Sequence, residues 1–389
     1  MPRPRKVRRR WPLIRLIDGL IKLIPPGRPA QGALIICGGN IGDALFFKAM
    51  MPHYLAAFGD VTILGSTMWQ AAAEMFFPGQ RIIFLNHKKI TRDWWYRLCF
   101  GIKLRRRSFK IALCDKSHRD ATANDALIDI SGAEQKFTCA VDYDRTNKYP
   151  AEQEFYAGRM TRTIDTAQGN RYRYRPLQQA GFLSQILGKP IAPPLPSLDK
   201  KLFPKPAGLP ASYIVIHPGA SLGDRCWPLE NFLALAKKFM REGRHVVFVG
   251  GKSELKLSEA IDLEFGQTVY NLIGQTSFAT MAAILAHADV AVVNETGPGH
   301  MAIALGVKTA MLVGGGHFGY FAPPPPELAP PQARYIFQKM PCYNCGWDCY
   351  IREAKDKIFP CINQIPLENA IEALDSLLNT GVASLKALP

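Results

Sequence analysis

Acidic residues are in short supply in this chain. Its 389 residues contain 32 Asp and Glu against 48 Lys and Arg, a formal charge of +16 at pH 7. An excess of that size points to an anionic partner: nucleic acid, a membrane surface or a phosphorylated substrate. The sequence also lacks a short-period repeat, and the glycines of 37–43 match neither a Walker phosphate loop nor a G-x-G-x-x-G spacing. The apolar stretch near the N-terminus is too short and too charged to cross a bilayer, which needs about 20 apolar residues. It has no small-residue cleavage site, which argues against a secretory signal. Cysteines number nine, an odd count without an export signal, so the chain reads as cytosolic and largely reduced. With 48% apolar and 21% charged residues, collagen-like and wholly disordered classes are excluded, and a soluble globular protein with large cores remains.

The positive charge is unevenly placed. Residues 1–28 hold nine Lys and Arg and one Asp, a local +8. This segment is basic first and amphipathic next. Leu13, Ile14, Leu16, Ile17, Leu20, Ile21, Leu23 and Ile24 are apolar, while Arg15, Asp18 and Lys22 recur at helical spacing. The pattern predicts a helix with a polar stripe beside a wide apolar face, stopped by Pro25-Pro26. It either lies on an anionic lipid surface with Trp11 near the headgroups or packs on the protein itself behind a basic tail.

From Ala33 the chain reads as strand, glycine turn and helix. Ala33–Cys37 is a buried strand, Gly38–Asp43 a loop, and an amphipathic helix follows; 60–66, 80–86 and 109–115 are further strands. Residues 189–211 are rich in proline and suggest a linker. The alternation then restarts, with strands at 212–217, 245–251, 269–274, 289–294 and 308–314 and helices at 229–242, around 254–264, 278–288 and 299–306. Two α/β domains with parallel sheets are expected: 29–190 and 212–389, joined by 191–211.

Three polar knots fall at the carboxyl ends of strands. In "CGGNIGD" (37–43), Gly39, Asn40 and Gly42 let backbone approach a ligand, and Asp43 is either a helix N-cap or a general base. In "HPGASLGDRCWPLENF" (217–232), Ser221 and Arg225 can bind phosphate oxygens, or the loop carries a surface arginine and a Trp227 that plugs the domain. In "NETGPGHMAIALG" (294–306), the amides of 296–300 precede a helix, whose N-terminus favours phosphate. Thr296 adds a hydroxyl there, and His300 is either a phosphate donor or a packing histidine.

Together, in this order and spacing, these stretches resemble glycosyltransferase family 9, the ADP-heptose:lipopolysaccharide heptosyltransferases. The resemblance rests on "GGNIGDALFFKAMMP", "IHPGASLGDRCWPLENF", "VVFVGGKSE", "NLIGQTSFATMAAILAHADVAVVNETGPGHMAIALGV" and "LVGGG". It spans roughly residues 33–365 and is most specific in the second half. It implies a GT-B fold, two Rossmann-like domains with parallel sheets facing a central cleft, and inverting transfer without a catalytic metal. The N-terminal domain would take the acceptor and the C-terminal domain the nucleotide sugar. Carried over, Asp43 looks like the catalytic base, and Ser221 and Arg225 like diphosphate ligands. Glu254 looks like the ribose-binding carboxylate, and Glu295, Thr296, Gly297 and His300 match the Asp-(Ser/Thr)-Gly-x-x-His donor motif. Two positions depart from the family: Glu295 stands where Asp is usual, and Arg225 where heptosyltransferases commonly have Lys. Both leave the donor sugar open.

Cys342, Cys345, Cys349 and Cys361 form C-x2-C-x3-C-x11-C. Such spacing fits a structural Zn²⁺ site, a reduced or disulfide-linked loop, or a redox cluster; the family often carries a similar segment without a required metal. The expected protein is thus a glycosyltransferase taking ADP-heptose and an anionic glycolipid acceptor, peripheral on the cytoplasmic face of a bacterial inner membrane. It would hold that surface through residues 1–28. Another nucleotide sugar on the same fold, or a non-catalytic nucleotide-sugar-binding protein, are the alternatives. Nucleic acid is disfavoured, because the basic residues cluster at the terminus without interleaved aromatic platforms.

Overall fold

The computed structural model describes residues 9–27, 30–141, 150–170, 172–354 and 357–379. The expected basic tail of residues 1–8, and Arg28, lie outside them. The chain divides into two units, Met1–Pro194 and Leu195–Pro389. Each is built on one six-stranded parallel sheet.

In the first unit the strands are β1 (Ala30–Cys37), β2 (Val61–Ser66), β3 (Arg81–Leu85), β4 (Phe109–Cys114), β5 (Gln135–Cys139) and β6 (Arg162–Ile164), in the order β3-β2-β1-β4-β5-β6. In the second they are β7 (Ile214–His217), β8 (Val246–Phe248), β9 (Tyr270–Asn271), β10 (Val290–Asn294), β11 (Lys308–Leu312) and β12 (Ala333–Ile336), in the order β12-β11-β10-β7-β8-β9. Read from the first strand of each half, the two orders are the same doubly wound one: strands one to three run to one side and four to six to the other. The central strands explain the apolar runs. Ile35 of β1 lies between Ile63 and Leu113, and Val292 of β10 between Ile216 and Ala310. Helices cover both faces, so these strands need apolar side chains throughout.

Three strands are absent from the sequence reading: β5, β6 and β12. Their segments, "QKFTC", "RTI" and "ARYI", are short and half polar. β1 also starts three residues before Ala33, and the helix after it, Ile41–Phe58, begins inside the expected loop. The proline-rich segment is no free tether. Its residues from Leu195 onward belong to the second unit. There the Leu198 amide donates to the Ala304 carbonyl at 2.8 Å, and the Phe203 carbonyl meets His287 Nε2 at 2.9 Å.

In the N-terminal helix, Trp11–Leu23, the wide apolar face expected from the sequence is split between a buried and an exposed side. Ile14, Ile17, Ile21 and also Asp18 are buried, while Leu13, Leu16, Leu20 and Leu23 face outward. The reason is a partner 79 residues away. Arg97 Nε and Nη2 each donate to an Asp18 oxygen at 2.7 Å, and Tyr156 donates to the same carboxylate at 3.0 Å. Arg97 Nη1 is spent on the carbonyls of Ile90 and Thr122. A buried ion pair holds when geometry and additional hydrogen bonds offset the loss of water around both charges. Ile21 lies against Gly101 of the helix Trp94–Arg107, where an added Cβ would come within 2.5 Å of Ile21 Cδ1. Farther along, Arg105 donates to the carbonyls of Lys22, Ile24 and Ile130 and so satisfies helix ends that have no intrahelical partner.

Breaking this pair from one side should be worse than removing it. Arg97→Met leaves Asp18 buried and unpaired, and should cost roughly 3–5 kcal/mol in denaturant unfolding. Asp18→Leu with Arg97→Met should recover most of that loss. Equal destabilisation of the single and double variants would contradict the account.

Candidate active site

In a doubly wound sheet, ligands bind outside the carboxyl ends of the strands, where the chain's winding reverses. Here those points lie between β1 and β4 and between β7 and β10. All three polar knots sit at them.

At the first, Asn40 rather than Asp43 is the N-cap of the helix Ile41–Phe58. Asp43 is the third helical residue, and its Oδ2 accepts the Asn40 amide at 3.0 Å. This is the return bond of a capping box, so the N-cap alternative is corrected by three positions. The other oxygen, Oδ1, accepts from Lys116 Nζ at 2.6 Å. Gly39 makes the approach possible: it has φ +107°, and a Cβ there would lie 2.2 Å from Asp43 Oδ2 and 2.8 Å from Lys116 Nζ. Gly42 falls within the first turn of the helix. The neighbouring Cys37 thiol is fully buried, which pushes its pKa well up, helped by Asp43 and Asp115. It is therefore a neutral packing group and no nucleophile.

Lys116, which the sequence reading missed, follows β4 and is held by two buried ion pairs. Arg175 binds both the Asp115 carboxylate and its carbonyl, and Tyr54 and Gln179 donate to Asp115 Oδ2 at 2.6 and 3.0 Å. Arg119 forks onto Asp125 at 2.5 and 2.9 Å and also donates to the carbonyls of Lys116, Ser117 and Cys139. The loop bearing Lys116 is thus clamped on both sides, and Asp43 is presented in one orientation with each oxygen engaged.

At the second point, Asn294 at the end of β10 organises the site. Its Oδ1 accepts the Trp227 amide at 2.9 Å, and its Nδ2 donates to the carbonyls of Pro218 and Gly219 at 2.8 and 3.2 Å. Trp227 is buried, with its indole N–H on the Ile365 carbonyl at 2.9 Å. Its role as the plug of this domain is confirmed. Glu254 lies in the turn after β8. Its Oε2 accepts the Gly251 amide at 2.6 Å. A Cβ on Gly219 would stand 1.6 Å from Glu254 Oε1, and one on Gly250 2.6 Å from Oε2. The carboxylate therefore rests on the β7 loop backbone, with its pKa raised by burial and partly restored by the Gly251 amide. His217 lies 3.7 Å away and is buried, its pKa pushed down to about 4, so it is neutral.

Arg225 stands in the short turn Gly223–Arg225. Its guanidinium lies 4.3 Å over the Trp347 ring, and its Nε is buried without a hydrogen-bond partner. Glu295 is close enough to oppose the desolvation of Arg225. Glu295 itself is pushed up to about 8 by burial, against the pull of Arg225. Thr296 is the N-cap of the helix Gly297–Ala304, but its hydroxyl donates back to the Asn294 carbonyl at 3.1 Å. Not every expected amide is on offer: Pro298 has none, and that of His300 is bound to the Thr296 carbonyl at 3.1 Å. Gly297 and Gly299 supply the remaining donors at this helix start. His300 is buried, its ring 5.9 Å from that of Phe321. Ser221 is exposed on the loop after β7.

The cysteine segment adjoins this site through Trp347, over whose ring the Arg225 guanidinium lies. All four of its cysteines are free thiols, with Cys342 and Cys361 buried. Among the described residues no group of three or more His, Cys, Asp or Glu could hold a metal ion. The segment packs on Gly314–Gly316 after β11: the Asn344 and Gly346 amides donate to the Gly315 and Gly316 carbonyls at 2.7 and 2.9 Å, and the Gly315 amide to Cys361 Sγ at 3.2 Å. A Cβ at Gly316 would meet the Trp347 ring at 2.2 Å. Gly314 and Gly316 thus let Trp347, also missed from sequence, lie beneath Arg225.

Comparison with known proteins agrees with this layout. Residues 187–333 match the family model described as glycosyltransferase family 9 (heptosyltransferase). The lipooligosaccharide heptosyltransferase 2 of Campylobacter jejuni is 27% identical over 168 residues, 42% of this chain and 50% of that protein. The chain spans about half the length of the curated relatives it matches. Among solved structures, the ADP-heptose LPS heptosyltransferase II of E. coli superposes with a TM-score of 0.65 at 17% identity, covering 90% of this chain and 99% of that one. The E. coli heptosyltransferase WaaC, solved with ADP, gives 0.58 at 17%, covering 78% and 92%. The fold is therefore that of the GT-B heptosyltransferases.

The raised pKa of Glu295 has a measurable consequence. The folded protein keeps a proton on this group that the unfolded chain releases near the ordinary carboxylate value of about 4.3. Stability should fall as pH rises from about that value to about 8, and then level off. Glu295→Gln has no proton to lose, so its melting temperature should gain on the wild type across that interval. Parallel melting curves at every pH would contradict the assignment.

Proposed function

We propose, from the premise that residues 187–333 are a glycosyltransferase family 9 domain, that this chain is an inverting glycosyltransferase. It transfers a heptose from ADP-heptose to a hydroxyl of a lipopolysaccharide-core or related anionic glycolipid, as a peripheral protein on the cytoplasmic face of a bacterial inner membrane. The observation that carries the reading is the convergence at β8, β7 and β10 of Glu254, the unpartnered Arg225 Nε and the start of the helix Gly297–Ala304. A carboxylate for the ribose diol and positive charge for a diphosphate are what a nucleoside diphosphate sugar requires.

The chemistry follows from where charge develops. Asp43 takes the proton of the acceptor hydroxyl as that oxygen attacks the anomeric carbon from the face opposite the diphosphate. The new C–O bond forms while the old one breaks, and the nucleoside diphosphate leaves with the bonding pair. Arg225 and the helix N-terminus stabilise the charge gained by the leaving group, a task that fixed dipoles and cations perform without reorganising. This step calls for no metal. Lys116 and the Asn40 amide keep the Asp43 oxygens oriented. Protonated Glu295 removes a negative charge from beside the diphosphate, which suits a Glu where the family usually has Asp.

General-base assistance is worth roughly 10²–10⁴ in rate. Asp43→Asn should lower kcat with ADP-heptose and an extracted core glycolipid by that order, with ADP affinity unchanged. Full activity of the variant would remove Asp43 from the mechanism. Absence of any turnover by the wild type, with nucleotide still bound, would favour a binding protein.

A further inference from the structure

A cavity of about 460 Å³ opens between the N-terminal helix Trp11–Leu23 and the helix Pro150–Ala157. Trp11, Arg15, Leu16, Lys22, Phe155 and Arg159 line it. Its chemistry is one-sided. The Arg15 and Arg159 guanidiniums stand 4.3 and 3.5 Å from the centre of the Phe155 ring. Arg15 also lies 5.4 Å from the Trp11 ring, and no carboxylate among the described residues is in salt-bridge reach of it. Two carboxylates reach the cavity. Asp18 is consumed by Arg97 and Tyr156. Asp129 is shared by Lys22, Lys136 at 3.5 Å and Arg159 at 3.9 Å. The Trp11 indole N–H is buried and has no hydrogen-bond acceptor among the described residues. Such a donor normally finds a partner when buried. Cations gathered on one ring with a donor left over form a place for an acceptor-rich anion.

The rim indicates where that anion comes from. Leu16 belongs both to the cavity and to a solvent-facing stripe, Leu13, Leu16, Leu20 and Leu23, exposed by 46, 61, 49 and 80%. Their three- and four-residue steps put them on one side of the helix. Contacts step in the same direction along this helix and its neighbour Trp94–Arg107: Arg10 to the Arg92 carbonyl, Asp18 to Arg97, Ile21 to Gly101 and Ile24 to Arg105. The two helices therefore run parallel. Trp94 and Trp95, exposed by 56 and 59%, lie at the end of the pair where the helix Trp11–Leu23 begins. An apolar stripe, exposed indoles and flanking basic residues form an interfacial surface for anionic lipid.

We propose that this cavity is a headgroup site for an anionic phospholipid of the bilayer. Arg15, Arg159 and the Trp11 N–H take its phosphate, and the leucine stripe enters the acyl boundary beside it. Guanidiniums suit the role because their fork matches phosphate oxygens. The proposal rests on the reading that the protein works at a membrane surface, and adds a defined site to what would otherwise be diffuse attraction.

The test is co-sedimentation of the full chain with vesicles of phosphatidylcholine, with and without phosphatidylglycerol. Calorimetry with short-chain phosphatidylglycerol and with inorganic phosphate runs alongside. Arg15→Ala with Arg159→Ala should weaken binding to phosphatidylglycerol vesicles roughly tenfold or more, at about 1 kcal/mol per basic contact. Lys200→Ala with Lys201→Ala, which removes the same charge from the other unit, should not. Leu13→Ser with Leu20→Ser, at solvent-facing positions outside the cavity lining where folding is not at stake, should weaken vesicle binding and leave short-chain lipid binding intact. Vesicle binding equal in wild type and the double arginine variant would overturn the site while sparing the membrane reading. No vesicle binding by the wild type would overturn both. Inorganic phosphate binding as tightly as short-chain lipid would overturn the lipid as ligand.

Discussion

The side chain of Asn294 is the tie on which the candidate site of the second unit depends. It sits at the end of the central strand β10 and reaches sideways to β7, holding the Pro218 and Gly219 carbonyls and the Trp227 amide. Everything presumed to touch a donor is fixed from there. Gly219 is the surface on which Glu254 lies, Trp227 anchors the loop that carries Arg225, and Thr296 and its helix start two residues on. A single buried amide thus sets the relative positions of three loops after three adjacent strands. Buried polar groups of this kind are costly unless fully bonded and strongly specifying when they are.

The first unit meets the same problem with charge. Asp115–Arg175 and Arg119–Asp125 are buried pairs on either side of Lys116, and both arginines also hold backbone carbonyls of that loop. A third pair, Asp18–Arg97, pins the N-terminal helix. Pairs of this sort contribute more to register than to net stability. In return, Asp43 has one orientation with both oxygens engaged, and the N-terminal helix buries Asp18 while Arg15 and the leucines face solvent.

Much of this was legible in the chain. Apolar runs ending in glycine and polar residues marked β1, β7 and β10 and the knots after them, because a central parallel strand must be apolar and a ligand-facing turn cannot be. What escaped depends on partners far away in sequence. The stripe of Arg15, Asp18 and Lys22 read simply as polar, since nothing nearby in sequence indicates that Arg97 neutralises a buried Asp18. Lys116, Asn294 and Trp347 carry no local signature; each acquires its role by packing across strands or loops. The cysteine spacing left a metal site, a reduced or disulfide-linked loop and a redox role open; the structure has free thiols there and lays Trp347 against Gly316. Short half-polar strands such as β6 look like loop until a sheet edge is there to receive them.

The central claim is that the loops tied by Asn294 form a site for an adenosine diphosphate sugar, and calorimetric titration of the purified chain with ADP, GDP, UDP and dTDP tests it most directly. The account predicts that ADP binds best and that Glu254→Ala abolishes the preference by removing the ribose-facing carboxylate. Binding of none of the four, or of all four alike in wild type and variant, would contradict it.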